Sequence, residues 1–144
     1  MNQIKLLFIT ILLICTSKIC HANDPLVIIV NIDNKHDTLT KKQLIDLYLG
    51  RYVAFPDGTT AVPLDREKSA SIRKDFFEAL TEKPMSQINA YWSRIKFTGR
   101  VSPPQVVSDD QAVIDAVSKQ VDAIGYIPLS KINNKVKVVY KIAK

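Results

Sequence analysis

The chain has 144 residues, 47% of them hydrophobic, and a formal net charge of +6. That length and apolar content suit one domain resting on its own core. Both cysteines, Cys15 and Cys20, and one of the two histidines, His21, fall in the first 22 residues. A domain beginning after them has no disulfide staple and no His/Cys zinc site, and only His36 is left to serve a Ser-His-Asp or Cys-His hydrolase.

The first 22 residues read as a secretory signal peptide. Lys5 supplies the positive start, Leu6 to Cys15 is apolar apart from Thr10, and Cys20-His21-Ala22 ends on a small residue. The apolar run is too short to span a bilayer as a lasting helix. Neither cysteine follows the small residue expected before a lipid-carrying cysteine. Residues 1–22 are therefore expected to be a cleaved signal and 23–144 the exported, periplasmic domain, with an uncleaved anchor as the alternative. Lys5 and Lys18 leave with the signal and no acid does, so the domain keeps about +4. That mild excess favours anionic partners. The basic residues are dispersed and no aromatic-basic ladder appears, so a nucleic-acid footprint is not expected.

Leu26 to Val30 is a continuous β-branched and aliphatic run, read as a strand buried on both faces. The polar stretch Asn31 to Asp37 reads as a loop, with His36 solvated in it. Thr40-Lys-Lys-Gln43 is a capping box opening a helix whose apolar face is Leu44, Leu47 and Tyr48, and Gly50 ends it. Tyr52 to Phe55 and Thr59 to Leu64 flank a Pro56-Asp57-Gly58 turn and suggest a hairpin. A second helix is expected from Ser69 or Ser71, with Ile72, Phe76, Ala79 and Leu80 inward. Pro84 separates it from a third, where Ile88, Tyr91, Trp92 and Ile95 form a stripe read as core. Pro103-Pro104 keeps the chain extended. Ser108-Asp-Asp-Gln111 reads as another capping box, opening a helix with Val113, Ala116 and Val117 inward. Val121 to Tyr126 and Val136 to Ile142 read as strands, with Gly125 permitting close backbone approach. Lys131, Lys135, Lys137, Lys141 and Lys144 mark a solvent side or sheet edge. The whole is an α/β domain with a mixed sheet flanked by helices.

The richest polar segment is Asp65 to Arg73, between a strand and a helix start. A helix N-terminus offers free N–H groups and a partial positive charge. Ser69 and Ser71 offer hydroxyls, and Arg66 and Arg73 offer bidentate guanidinium contacts. Asp65 offers an acceptor for a protonated oxyanion such as monohydrogen phosphate. The competing reading is ordinary capping serines and solvated charges.

Several separated motifs carry a resemblance. These are Leu47-Tyr48-Leu49-Gly50-Arg51 with Ile45 before it, Phe55-Pro-Asp-Gly58, Val62-Pro63-Leu64-Asp65, Ala90 to Arg100 with Pro103-Pro104, and Ala123 to Ile127. In this order they resemble small proteins related to the phosphate-binding component of Pst-type ABC importers, within the type 2 periplasmic binding protein superfamily. The resemblance implies a single lobe of that fold and an oxyanion ligand. In the full-length binders a helix-opening Ser-Gly-Thr preceded by an arginine grips phosphate; the matching positions are Ser69, Ala70 and Ser71, with Arg66 upstream. Ala70 replaces the glycine, and the arginine-to-serine spacing is one residue shorter. Thr98 and Arg100, on a loop after the third helix, are further ligand candidates. A complete binder closes two lobes on its ligand, and this chain supplies little more than one. The expected function is phosphate or oxyanion binding by an exported, non-enzymatic solute-binding-type protein, with an ABC importer, a sensor or a porin as envelope partner and no cofactor. The second reading is an interaction or sensory accessory module that keeps the scaffold without a ligand. The third is an enzyme, for which Asp65, Glu67 and Asp75 are acids close in sequence but not paired by any spacing.

Overall fold

Leu26–Asn31 forms β1, and the computed structural model, which describes residues 24–143, buries all six of its residues. Successive side chains of a strand point to opposite faces. Leu26, Ile28 and Val30 join one core cluster and Val27 and Ile29 another, so helices cover the strand on both sides. This is the arrangement that its unbroken apolar run predicts. The expected signal segment, 1–22, lies outside the described residues.

Four more strands follow along the chain: β2 (Val62–Arg66), β3 (Gln105–Val107), β4 (Ala123–Pro128) and β5 (Val136–Lys141). Across the five-stranded sheet the order is β3-β2-β4-β1-β5. β1 runs antiparallel to β4 and β5, whereas β2 runs parallel to β3 and β4. The sheet is mixed, as expected. β5 lies at one edge, and its Lys137 pairs with Asp37 at 2.7 Å.

Helices α1 (Lys41–Tyr48), α2 (Ser71–Thr81) and α3 (Met85–Lys96) pack on one face of the sheet. Their Leu44, Tyr48, Phe76, Phe77, Ile88 and Trp92 share a core with Ile28, Ile124 and Tyr126. Helix α4 (Asp110–Lys119) covers the other face through Val113, Ile114 and Val117. A Cβ at Gly125 would lie 2.4 Å from Val113 Cγ1, so the glycine on β4 lets α4 approach the sheet closely. The α3 stripe is core, with Ile88 and Trp92 buried and Tyr91 and Ile95 packed beside them.

The Thr40–Gln43 capping box forms in both directions, and Gly50 follows α1 with φ +64°. The expected hairpin reduces to a single bridge, Ala54 to Thr60, around the Pro-Asp-Gly turn. Two expectations need correction. The cap of α4 is Asp109, whose carboxylate accepts the Ala112 N–H at 2.8 Å; this charged acceptor takes the place expected for Ser108. The strand expected over 121–126 runs over Ala123–Pro128 instead. Val121 belongs to a turn and its carbonyl accepts the Asn34 side-chain amide. Beyond Pro104 the extended chain becomes β3, which exists because β2 offers it a parallel partner.

Candidate functional site

The parallel strands β2 and β3 end side by side, with Arg66 in register with Val107. Each then leads into a helix, β2 into α2 and β3 into α4. Two helix N-termini thus stand at the carboxyl ends of adjacent parallel strands, where α/β sheets commonly place ligands.

Asp65, Arg66 and Arg73 are buried there, at 4%, 4% and 6% exposure. The apolar surroundings make their pairing obligatory. Arg73 Nε donates to Asp65 Oδ2 at 2.8 Å, and the Tyr126 hydroxyl donates to Asp65 Oδ1 at 2.7 Å. The Arg66 backbone N–H also donates to Oδ1, at 2.7 Å, and reaches the Tyr126 hydroxyl at 3.2 Å. Oδ1 therefore has both lone pairs engaged, while Oδ2 keeps one free. Burial, followed by the charge of Asp65, raises the Tyr126 phenol far above its ordinary range and keeps it a donor. Burial chiefly, and Asp65 after it, also raise Tyr48. The Arg73 guanidinium stands over the Phe77 ring at 5.0 Å and donates to Asn89 Oδ1 at 3.3 Å.

Arg66 extends the other way, its Nη2 paired with Asp110 in the first turn of α4. Its Nε is buried without a hydrogen-bond partner, as is Nε1 of Trp92. Both residues line a hollow of about 230 Å³ between the β2–α2 segment and α3. Arg66, Lys68, Arg73 and Lys96 make its lining cationic, Asn89 and Ser93 add neutral polar groups, and Asp65 is the one carboxylate in it. Such a lining favours a small anion electrostatically.

The sequence candidates divide. Asp65, Arg66 and Arg73 converge on the hollow. Ser69 and Ser71 are exposed at the start of α2, which Ala70 caps without a side-chain hydrogen bond. Thr98 and Arg100 are exposed beyond α3; Thr98 donates to the Ile95 carbonyl, and Arg100 borders a different hollow with Tyr52 and Val53. Sequence reasoning missed Tyr126, Asp110 and Trp92 as members of the cluster. His36 is not solvated as expected. Its ring stacks on Phe55 at 5.1 Å, and Nε2 lies 3.2 Å from Asp57 Oδ1. Among the described residues no cluster of His, Cys, Asp and Glu is placed to hold a metal ion, and no helix is long and apolar enough to cross a membrane.

No family model and no curated protein matches the chain. Solved structures do. One is an ABC-type phosphate transport receptor from Vibrio cholerae, at 22% identity and TM-score 0.64, covering 81% of this chain and 45% of that one. Another is a Clostridium perfringens protein assigned to phosphate ABC transport as a substrate-binding protein, with bound phosphate, at 21% identity and TM-score 0.64, covering 81% and 44%. A third is PstS from Borrelia burgdorferi, at 17% identity and TM-score 0.63, covering 81% and 46%. The chain spans less than half the length of each. Its fold is that of one part of a phosphate-transport substrate-binding protein.

Proposed function

We propose that the chain is an exported, non-enzymatic solute-binding-type protein that holds phosphate or a similar oxyanion in the hollow beside Asp65, Arg66 and Arg73. The observation that carries this reading is Arg66. Its guanidinium is buried and keeps Nε uncommitted, in a lining of four cations and one carboxylate. A buried donor without a partner costs about 1–3 kcal/mol, which an anion accepting from it would offset. The free lone pair on Asp65 Oδ2 suits a ligand that carries a proton, as monohydrogen phosphate does. Lys68 and Lys96 add long-range attraction. Ser69, Ser71, Thr98 and Arg100 belong to the proposal as groups that would have to swing toward the hollow. The phosphate held by the Clostridium perfringens structure supports the same ligand class. The proposal includes delivery to an ABC importer, which the same likeness supports, in the periplasm and after removal of residues 1–22 from a domain of 23–144.

Isothermal titration with phosphate, arsenate and sulfate tests the reading. Heat with phosphate and arsenate, weaker heat with sulfate, and loss of both in Arg66→Gln are expected. Silence with every anion at millimolar concentration contradicts it. A second reading has its own support: Arg66 and Arg73 already hold the chain's own carboxylates. A scaffold so satisfied would serve as an interaction or sensory accessory module for a sensor or porin. In that case a partner captured from envelope extract would still bind the Arg66→Gln variant.

A further inference from the structure

Residues 83–108 contain no aspartate or glutamate, yet they carry Lys83, Arg94, Lys96 and Arg100. Among the described residues none of these four lies within 4 Å of a carboxylate, although cations elsewhere, such as Lys41, Lys42 and Lys137, do. The fold gathers them around α3. Lys83 and Arg94 line a hollow of about 400 Å³ with Arg51, and Lys96 lines the neighbouring hollow with Lys68. At the end of α3, between Lys96 and Arg100, Phe97 is 93% exposed. Nothing in the core requires a phenyl ring there, whereas Ile95, two residues earlier, packs inward.

We propose that the C-terminal corner of α3 docks on an anionic phospholipid surface, with Phe97 entering the headgroup layer and Arg94, Lys96 and Arg100 contacting the phosphates. Charge complementarity selects an anionic partner. The apolar content selects lipid over protein. A stable protein interface needs a buried apolar centre within a broad complementary area. Here Phe97 protrudes next to Lys96, and the other exposed apolar side chains near these cations are scattered, Tyr52 and Val53 beside Arg100 in one hollow and Val106 with Lys96 in another. One aromatic anchor among basic groups is the composition of an interfacial membrane contact. This docking does not depend on the anion reading of the Asp65 hollow.

The test is co-sedimentation of the full chain with vesicles of phosphatidylcholine alone and of phosphatidylcholine with phosphatidylglycerol in equal parts. The apolar segment at 6–15 is common to every arm, so the read-out is the difference between vesicle types and between variants. Phosphatidylglycerol is expected to raise binding strongly, and salt to reverse the gain. Phe97→Ala is expected to lower the phosphatidylglycerol-dependent binding about tenfold, and Lys96→Gln about fivefold. Both are surface changes, and circular dichroism checks that each variant folds. Phe97→Trp should add fluorescence that shifts to the blue with anionic vesicles and not with neutral ones. Equal binding to the two vesicle types, or an unchanged Phe97→Ala, overturns the proposal. Capture of an acidic protein at this corner while anionic vesicles stay unbound overturns it too, and places a protein there instead.

Discussion

Arg73 and Asp65 meet across the start of α2, Nε to Oδ2 at 2.8 Å, with both side chains more than nine-tenths buried. Eight residues separate them in sequence, and the pair ties the helix to the end of β2. Removing the cation alone leaves a buried carboxylate with only the Tyr126 and Arg66 donors. Arg73→Met is therefore expected to destabilise the fold by about 3 kcal/mol. The double variant Asp65→Asn with Arg73→Met should lose less than the sum of the single changes. Urea unfolding of the four species measures the coupling.

Tyr126 gives a cleaner probe of the same carboxylate. Its ring stacks on Phe76 at 3.8 Å between centroids, so Tyr126→Phe keeps the packing and removes only the hydroxyl. Loss of the 2.7 Å bond to Oδ1 should cost about 1–2 kcal/mol by thermal or urea unfolding.

Gly125 tests the closeness of α4 to the sheet. Gly125→Ala places a methyl 2.4 Å from Val113 Cγ1 and should cost about 1–3 kcal/mol by overpacking. Adding Val113→Ala should recover part of that loss, a rescue that a merely conformational effect of the glycine would not produce.

Asp57 sets a pH dependence in the Pro-Asp-Gly turn. The Thr59 hydroxyl and then its backbone N–H hold the carboxyl at about 2, below its ordinary 3.8, with smaller help from His36. The folded group binds its proton more weakly than the unfolded one. The turn's support is thus complete above the ordinary value and is lost as pH falls through about 2. Thr59→Ala should raise the midpoint toward 3.8, read by carbon-13 titration of the Asp57 carboxyl.

Local signals were the legible ones. The apolar run of β1 and the Thr40–Gln43 box each contain their own cause within a few residues, and both formed as expected. β3 carries no such signal. Its three residues are largely exposed, follow two prolines, and are extended because β2 pairs with them. Ser108 and Asp109 compete for one cap, and only the backbone direction decides between them. At the site, the segment 65–73 was legible as polar chemistry at a helix start. Its partners were not, because Asp110 and Tyr126 stand 44 and 61 residues away from Arg66 and Asp65, and only the parallel pairing of β2 with β3 and β4 brings them in. The partial shielding of His36 likewise depends on Phe55, across the turn.

The oxyanion site rests on one contact, an anion accepting from the uncommitted Nε–H of Arg66. The side-chain Nε–H resonance of Arg66, assigned by its loss in Arg66→Lys and followed during a phosphate titration by proton–nitrogen correlation spectroscopy, reports on that contact. A saturable downfield shift of that resonance, with sulfate giving less, is the predicted result. A resonance that stays fixed while phosphate reaches tens of millimolar would contradict the assignment.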